Sequence, residues 1–268
     1  MSNLIKFSLY EFKRNLKSPS FYFVAALFLF YQGIVFALFV SLRQHPLSPP
    51  GPMFAPYFGG PFWFWPLLIL VVTELSHDAI SREKAGGTLD LLLASPLSFY
   101  QVAWSKFLSS FLSYAILWLG TIPLIVFLIL HTTQSDSVLI APILTGYFGA
   151  LSIGAFGISV GLFFSSLSKD IRLSGMLTFV ALFMMVLLKI LINPAFGLIE
   201  NKNLIDLINH INFFDYMENF AFGRINWTNV ITLLGGVTVF VSLSGIFIGF
   251  SQIKHKKLYL KQQFGPVA

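Results

Sequence analysis

The segment from Gly157 to Gly161 contains a G-x-S-x-G pattern, with Ser159 at the position that carries the nucleophile in some hydrolases. That chemistry needs a sharp turn between a strand and a helix, and a histidine beside the serine. Here the pattern falls in the middle of a long apolar run, and the sequence places none of its five His residues near it. Small residues at helical spacing predict close helix packing instead, and they are Gly146, Ala150, Gly154, Gly157 and Gly161. We therefore favour packing and keep an intramembrane serine hydrolase as the alternative.

Ionisable residues in or beside the apolar runs are the next candidates for chemistry. Lys189 is the one charge well inside such a run, so a role in a substrate pathway is a hypothesis for it. It lies within about one turn of the end of its run, where a Lys side chain can also reach the membrane surface. Glu74, His77 and Asp78 cluster at the end of another run. They could form a proton-linked site, but we favour ordinary interfacial charges.

Two absences bound the chemistry further. The sequence has no Cys, which excludes a disulfide, a thiol nucleophile and a Cys metal site. It also lacks the G-x-x-x-x-G-K-[ST] motif that cradles nucleotide phosphates, since the stretch Gly86-Gly87-Thr88 has no Lys between the glycine and the threonine. We expect no bound metal or cofactor, and any ATP hydrolysis must come from another polypeptide.

The elements that position these residues are apolar helices. Of the 268 residues, 56% are hydrophobic and 10% are charged, and the mean hydropathy is +0.78. Soluble domains carry about 25% charged residues, so lipid must solvate much of this chain. Six apolar stretches predict six membrane-spanning helices in a single all-α domain, residues 1–268. They are Phe21–Leu42, Phe54–Leu75, Phe107–Leu130, Val138–Leu167, Leu173–Ile192 and Val230–Phe250.

The distribution of Lys and Arg predicts the orientation. With the N-terminus in the cytoplasm, thirteen of these residues fall in inner segments and three in outer segments. An excess of basic residues marks the cytoplasmic side, so we expect both termini inside. Residues 4–17 precede the first span and predict a helix lying on the membrane surface. Its apolar stripe is Ile5, Leu9, Phe12 and Leu16.

The cytoplasmic loop between the second and third spans is the most informative segment. Gly86 and Gly87 break the chain, and Thr88 is a good N-cap for a short helix that Pro96 ends. Four leucines lie in that helix, at Leu89, Leu91, Leu92 and Leu93. They need an apolar surface, which is either a partner protein or the span ends of this chain, and the spacing does not decide between the two. Ser98 and Gln101 predict a capping box that begins the third span.

The outer segment from Pro194 to Asn229 is too long and too apolar for an open loop. Ile, Phe and Met residues recur in it at helical spacing. This pattern predicts short amphipathic helices that dip into the outer interface, in a re-entrant-like manner, before the sixth span.

The loop stretch SREKAGGTLDLLLASPLS resembles the signature of ABC-2 type transporter permeases, with Asp90 where Glu is usual. Two other stretches are similar to that family in the expected order. Near the N-terminus, Glu11, Ser18 and Pro19 match its Glu followed by Ser-Pro, and before the last span Phe214, Phe220 and Gly223 match its Phe-x-x-Phe-x-x-Gly segment. The gliding-motility and copper-reductase-maturation permeases are the nearest resembling groups.

The resemblance implies a membrane-spanning subunit of an ABC exporter in a bacterial inner membrane. Two permeases, identical or homologous, would pair, and separate ATPase subunits would hydrolyse ATP with Mg²⁺. The family's coupling helix docks into the ATPase, which implies the coupling residues Arg82, Glu83, Gly87, Thr88, Leu89, Asp90, Leu92, Leu93 and Pro96. Phe214, Phe220 and Gly223 would belong to the outer gate, and Lys189 remains a possible pathway residue. A structural membrane subunit without transport is a further alternative.

Overall fold

The computed structural model of the protein describes residues 2–43, 57–58, 64–89, 92, 97–131, 140–191 and 216–263. These residues form α-helices and their connections, and no strand occurs among them. The helices are α1 (Ser2–Leu16), α2 (Pro19–Arg43), α3 (Phe64–Ser76), α4 (Ser81–Ala85), α5 (Phe99–Leu119), α6 (Ile122–His131), α7 (Ile140–Leu167), α8 (Ile171–Leu191), α9 (Tyr216–Ala221) and α10 (Trp227–Gln263).

Within the described residues, six helical stretches are long and apolar enough to cross a membrane, which confirms the predicted number of spans. They are Pro19–Leu38, Phe64–Ala85, Phe99–Phe127, Ile140–Leu167, Ile171–Leu188 and Trp227–Phe250. Of these six, the first and the fifth are the least covered by the rest of the described chain, with 28% and 17% of their most apolar windows buried.

The third span begins at Phe99, earlier than the apolar pattern predicted, because its first turns carry polar residues that face the protein. Its start is fixed by the predicted capping box. The Ser98 hydroxyl accepts a hydrogen bond from the backbone N–H of Gln101, whose side-chain oxygen accepts one from the N–H of Ser98 at 2.9 Å. The span is interrupted between α5 and α6 at Gly120, shortly before Pro123, which has no N–H to donate to the preceding turn.

Helix α7 lies at the centre of the bundle and packs on α3, α5, α8, α9 and α10. Its glycines are the points at which the neighbouring helices come closest. A Cβ on Gly154 would collide with the ring of Tyr114 from α5, and one on Gly161 would collide with Ser76 from α3. The predicted packing role of the small-residue stripe is therefore confirmed.

Helix α1 packs along α5 and turns its polar side inward. Ser8 and Glu11 are buried, whereas Ile5 and Leu9 are exposed. Of the predicted apolar stripe, Phe12 is half-buried and Leu16 packs against the core, so the position of α1 on the membrane surface stays a prediction. The inward polar side matters more for function, because it brings a carboxylate to the start of the third span.

Candidate functional site

Four charged side chains from three separate segments meet at the end of the bundle that the Lys and Arg distribution predicts to be cytoplasmic, and we call them the ion cluster. They are Glu11 and Arg14 from α1, Glu83 from α4 and Lys106 from α5. The Lys106 ammonium lies 2.8 Å from Glu11 Oε2 and 3.0 Å from Glu83 Oε1. The Arg14 guanidinium closes the cluster, 2.6 Å from Glu11 Oε2 and 3.5 Å from Glu83 Oε1.

The ion cluster is buried and its formal charges cancel. The side chains of Lys106, Glu11 and Glu83 are 3%, 4% and 12% exposed, and only Arg14 is substantially exposed, at 43%. Charges removed from water are tolerated when each has an opposite charge within hydrogen-bonding distance. Removing one partner leaves an uncompensated charge, which typically costs about 3–5 kcal/mol. The cluster therefore depends most on its buried members, which join α1, α4 and α5.

Helix α4 is also fixed to the inner end of α7. The backbone N–H groups of Ile80 and Ser81 both donate to the Ser165 hydroxyl, at 3.0 and 2.9 Å. The Lys84 ammonium donates to the carbonyl oxygen of Ser166. The end of the second helical stretch is thus attached to α1, α5 and α7, so a displacement of α4 would reach three elements of the bundle.

The predicted chain break at Gly87 has a specific geometry. Helix α4 ends in a Schellman motif, in which the Thr88 N–H donates to the Glu83 carbonyl at 3.1 Å and the Gly87 N–H donates to the Lys84 carbonyl at 3.4 Å. Gly87 has φ +67°, a left-handed conformation that glycine adopts without strain. The Thr88 hydroxyl donates to the Glu83 carboxylate, so the residue after the turn is joined to the ion cluster.

The structure divides the predicted coupling residues into two groups. Arg82 is 57% exposed and pairs with Asp78, so its guanidinium is accessible at the surface. Glu83 is turned inward to Lys106, and Leu89 is buried at 7% exposure. The interpretation in which the leucines pack on this chain's own helices therefore describes Leu89, whereas Leu92 is half-buried. Asp90, Leu93 and Pro96 lie outside the described residues.

The sequence patterns did not bring Glu11, Arg14 and Lys106 together. A signal was nevertheless present, because Glu11 is the only acidic residue before Glu74 and Lys106 stands within the helical run of the third span. Isolated charges of opposite sign next to apolar helices indicate partners for one another. Which helix faces which could not be read from these positions alone.

The outer candidate site has a different construction. Helix α9 also ends in a Schellman motif, with the Arg224 N–H donating to the Asn219 carbonyl at 2.9 Å and Gly223 at φ +79°. Phe220 is fully buried on α7, where a Cβ on Gly149 would lie 2.7 Å from its ring and its own Cβ. The Thr145 hydroxyl donates to the Phe220 carbonyl at 2.6 Å. Phe214, the third predicted gate residue, lies outside the described residues.

The described residues build no catalytic site around Ser159 and no metal site. Ser159 is fully buried, and its hydroxyl donates to the Phe156 carbonyl of its own helix at 2.6 Å, which is a packing arrangement. Lys189 belongs to the last turns of α8, but its side chain lies outside the described part, so its role stays a prediction. No group of three or more potential metal ligands occurs among the residues that the structure describes.

The fold defines a multi-pass α-helical membrane protein with a charged joint at one end. A sequence model of the family described as ABC-2 family transporter protein matches residues 61–251, which is most of the 268-residue chain. The chain therefore belongs to this family and is a permease domain of an ABC transporter, as its cytoplasmic loop predicted. A search of curated proteins finds no match to the chain. The matched range contains Glu83 and Lys106 and begins after α1.

Proposed function

We propose that the chain is the permease subunit of an ABC exporter in a bacterial inner membrane, with both termini in the cytoplasm. It works as a pair of permeases with separate ATPase subunits, which use ATP and Mg²⁺, and it binds no cofactor itself. The observation that carries this proposal is the ion cluster, because it joins the family's coupling loop to two other parts of the bundle, α1 and α5. A loop that only connected two spans would not need buried charges on three elements.

In the proposed mechanism, the ion cluster transmits movement from the ATPase subunits to the membrane spans. Closure of the ATPases on ATP displaces the helix Thr88–Ala94, and the Schellman turn at Gly87 transmits the displacement to α4 as a rigid unit. Glu83 then carries it through Lys106 to the third span and through Arg14 to α1. The spans rock between inward-facing and outward-facing arrangements as a result.

The coupling residues divide according to their exposure. Arg82 is the polar contact with the ATPase, and Leu92, Leu93, Asp90 and Pro96 complete the docking surface, as the family resemblance implies. Glu83, Thr88 and Leu89 hold that surface in place from the inside. On the outer side Phe220 and Gly223, with Phe214, form the gate, since α9 covers the outer half of α7.

The second permease is expected against the spans that its own chain covers least. These are α2 and α8, which flank α3 and are the most open to their surroundings. A translocation path between two copies would be lined by elements that a single copy leaves uncovered. Lys189 lies on α8 and would therefore belong to that path.

Co-purification with an ATPase tests the proposal. The tagged chain is extracted from native membranes in mild detergent, and the partners are identified and assayed for ATP hydrolysis. We expect a soluble ATPase subunit with the unchanged chain, and at least a tenfold lower recovery with Leu92→Asp, because an acidic group in an apolar contact is costly to desolvate.

The matched control is Ser98→Asp, which adds the same charge to the same loop at an exposed position and keeps a good N-cap. Both variants are checked for a single symmetric peak in size-exclusion chromatography, so that loss of the fold is not read as loss of the partner. Recovery of the unchanged chain without any nucleotide-hydrolysing partner contradicts the proposal, as does equal recovery with Leu92→Asp.

A further inference from the structure

A cleft of about 120 Å³ opens at the cytoplasmic end of the bundle, and we call it the inner cleft. It lies where α1 ends, α2 begins, α3 ends and α8 begins. One wall is polar and includes Ser18 and Glu74, and the other is apolar and includes Phe21 and Val24. A cleft with walls of both kinds suits a ligand that is itself amphiphilic.

The charges around the inner cleft do not cancel. Asp78 and Arg82 pair with one another, but Glu74 is exposed and enters none of the ion pairs in the described part of the chain. His77 has its Nδ1 3.1 Å from the carbonyl oxygens of Thr73 and Glu74, so this nitrogen donates to the backbone of its own helix. Besides His77, the acidic and basic residues that line the cleft are Glu74, Asp78 and Arg82, so their formal charge is negative, which favours a cationic group.

The inner cleft continues along the apolar surface of the bundle. Leu70 lies one turn before Glu74 on the same side of α3 and is exposed, and Phe23 is exposed on α2. In a membrane these side chains face lipid, so an apolar tail could extend from the cleft without leaving the hydrocarbon region. A free cation would make no use of this surface.

A smaller polar pocket connects the inner cleft with the ion cluster. It has a volume of about 20 Å³, enough for about one water molecule. Glu11, Arg14 and Lys106 line it, and it shares Asp78 and Arg82 with the inner cleft. A ligand beside Glu74 would therefore lie next to the joint that carries the proposed coupling movement.

We propose that the inner cleft binds the ammonium headgroup of a single-chain or double-chain amphiphile from the inner leaflet, with Glu74 as its counter-ion and Phe21 and Val24 against its tail. That this amphiphile is the transported substrate rests on the proposed function, whereas the binding site itself does not. The cleft lies beside the Asp78–Arg82 pair, which also lines the polar pocket at the ion cluster. A bound amphiphile would therefore change the surroundings of the ion cluster.

The test uses the full chain reconstituted in lipid nanodiscs of neutral lipid, with dodecyltrimethylammonium as the probe. Binding is measured as competition against a fluorescent alkyl-ammonium analogue. We expect Glu74→Gln to weaken binding about tenfold or more, because it removes the counter-ion and keeps the size of the side chain. Glu74→Asp is expected to recover most of the affinity. Glu218→Gln, an exposed glutamate on α9 at the other end of the bundle, is the matched control and should bind as the unchanged chain does.

Two further probes test separately whether binding needs the apolar tail and whether it needs the positive charge. Tetramethylammonium carries the charge without the tail, and dodecyl phosphate carries the tail with the opposite charge; both are expected to bind at least tenfold more weakly than the probe. Equal affinity of Glu74→Gln and the unchanged chain overturns the proposal, and so does equal affinity for dodecyl phosphate. Equal affinity for tetramethylammonium replaces the amphiphile with a soluble cation and overturns it as stated.

The same nanodiscs, with the ATPase subunit added, distinguish this proposal from the proposed function. Probe binding that depends on Glu74 in the absence of any associating ATPase would contradict the exporter and leave the binding site standing. Association of an ATPase, together with probe binding that is the same in Glu74→Gln and the unchanged chain, would support the exporter and contradict the binding site.

Discussion

The two ends of this membrane bundle use the same turn and hold it by different forces. At the end predicted to be cytoplasmic, Gly87 ends α4 in a Schellman motif, and the turn is attached to the bundle by charges that come from α1 and α5. At the outer end, Gly223 ends α9 in the same motif, and the turn is attached by the burial of Phe220 in the space left by Gly149. One end depends on electrostatic partners, the other on shape.

The difference indicates what each end can do. A cluster of ions links elements that are far apart in sequence and can transmit a pull along directed bonds, but it is weakened strongly when a buried charge is lost. Close packing against glycines resists small displacements and then gives way as a whole, because packed interfaces have discrete arrangements. In the proposed mechanism the predicted cytoplasmic end conveys the movement, and the predicted outer end remains closed until the movement is large enough.

The largest expected effect is a loss of stability when the ion cluster loses its central cation. Lys106→Met removes the central cation and leaves Glu11 and Glu83 close together with only Arg14 between them, so we expect a loss of about 3–5 kcal/mol of stability. Thermal unfolding in detergent, followed by tryptophan fluorescence, measures it. The neutral double variant Lys106→Met with Glu11→Gln should recover part of the loss, since fewer buried charges remain uncompensated.

The matched control is another member of the same cluster. Arg14 is 43% exposed, so Arg14→Gln should cost no more than about 1 kcal/mol. Equal losses for Lys106→Met and Arg14→Gln would show that burial does not set the strength of the joint. An unchanged unfolding midpoint for both variants would show that the ion cluster does not stabilise this end of the bundle.

A smaller effect sharpens the comparison between the two turns. Gly87→Ala and Gly223→Ala each place a side chain in the left-handed region, which costs about 1–2 kcal/mol. A Cβ at Gly87 meets open space, whereas one at Gly223 lies 3.3 Å from Pro142, so we expect the outer substitution to cost more. The comparison uses the same unfolding assay. A larger loss at Gly87 would contradict the assignment of close packing to the outer end.

Much of the fold followed from local sequence. Apolar runs of membrane length predicted the six spans, and the Ser98 and Gln101 pair predicted where the third one begins, because both signals are contained within one element. The break at Gly87 was also legible, since few residues other than glycine adopt its conformation.

The candidate site was less accessible to sequence reasoning. Glu11 and Lys106 are 95 positions apart, and nothing local says that α1 packs on α5. The same limit applies to Leu89, which the loop pattern offered equally to a partner and to this chain. The inward turn of Glu83 follows from the position of Lys106, so it too needed the three-dimensional arrangement.

Cross-linking from single cysteines tests the central claim most directly, because the natural chain has no Cys and gives no background. Arg82→Cys places a thiol on the exposed side of the cytoplasmic loop, and Arg224→Cys places one at the exposed turn after α9. After treatment of native membranes with a thiol-reactive photo-cross-linker, we predict an adduct with an ATPase subunit from Arg82→Cys and none from Arg224→Cys. An adduct from Arg224→Cys, or from neither position, would contradict the account of the cytoplasmic loop as the ATPase-coupling end.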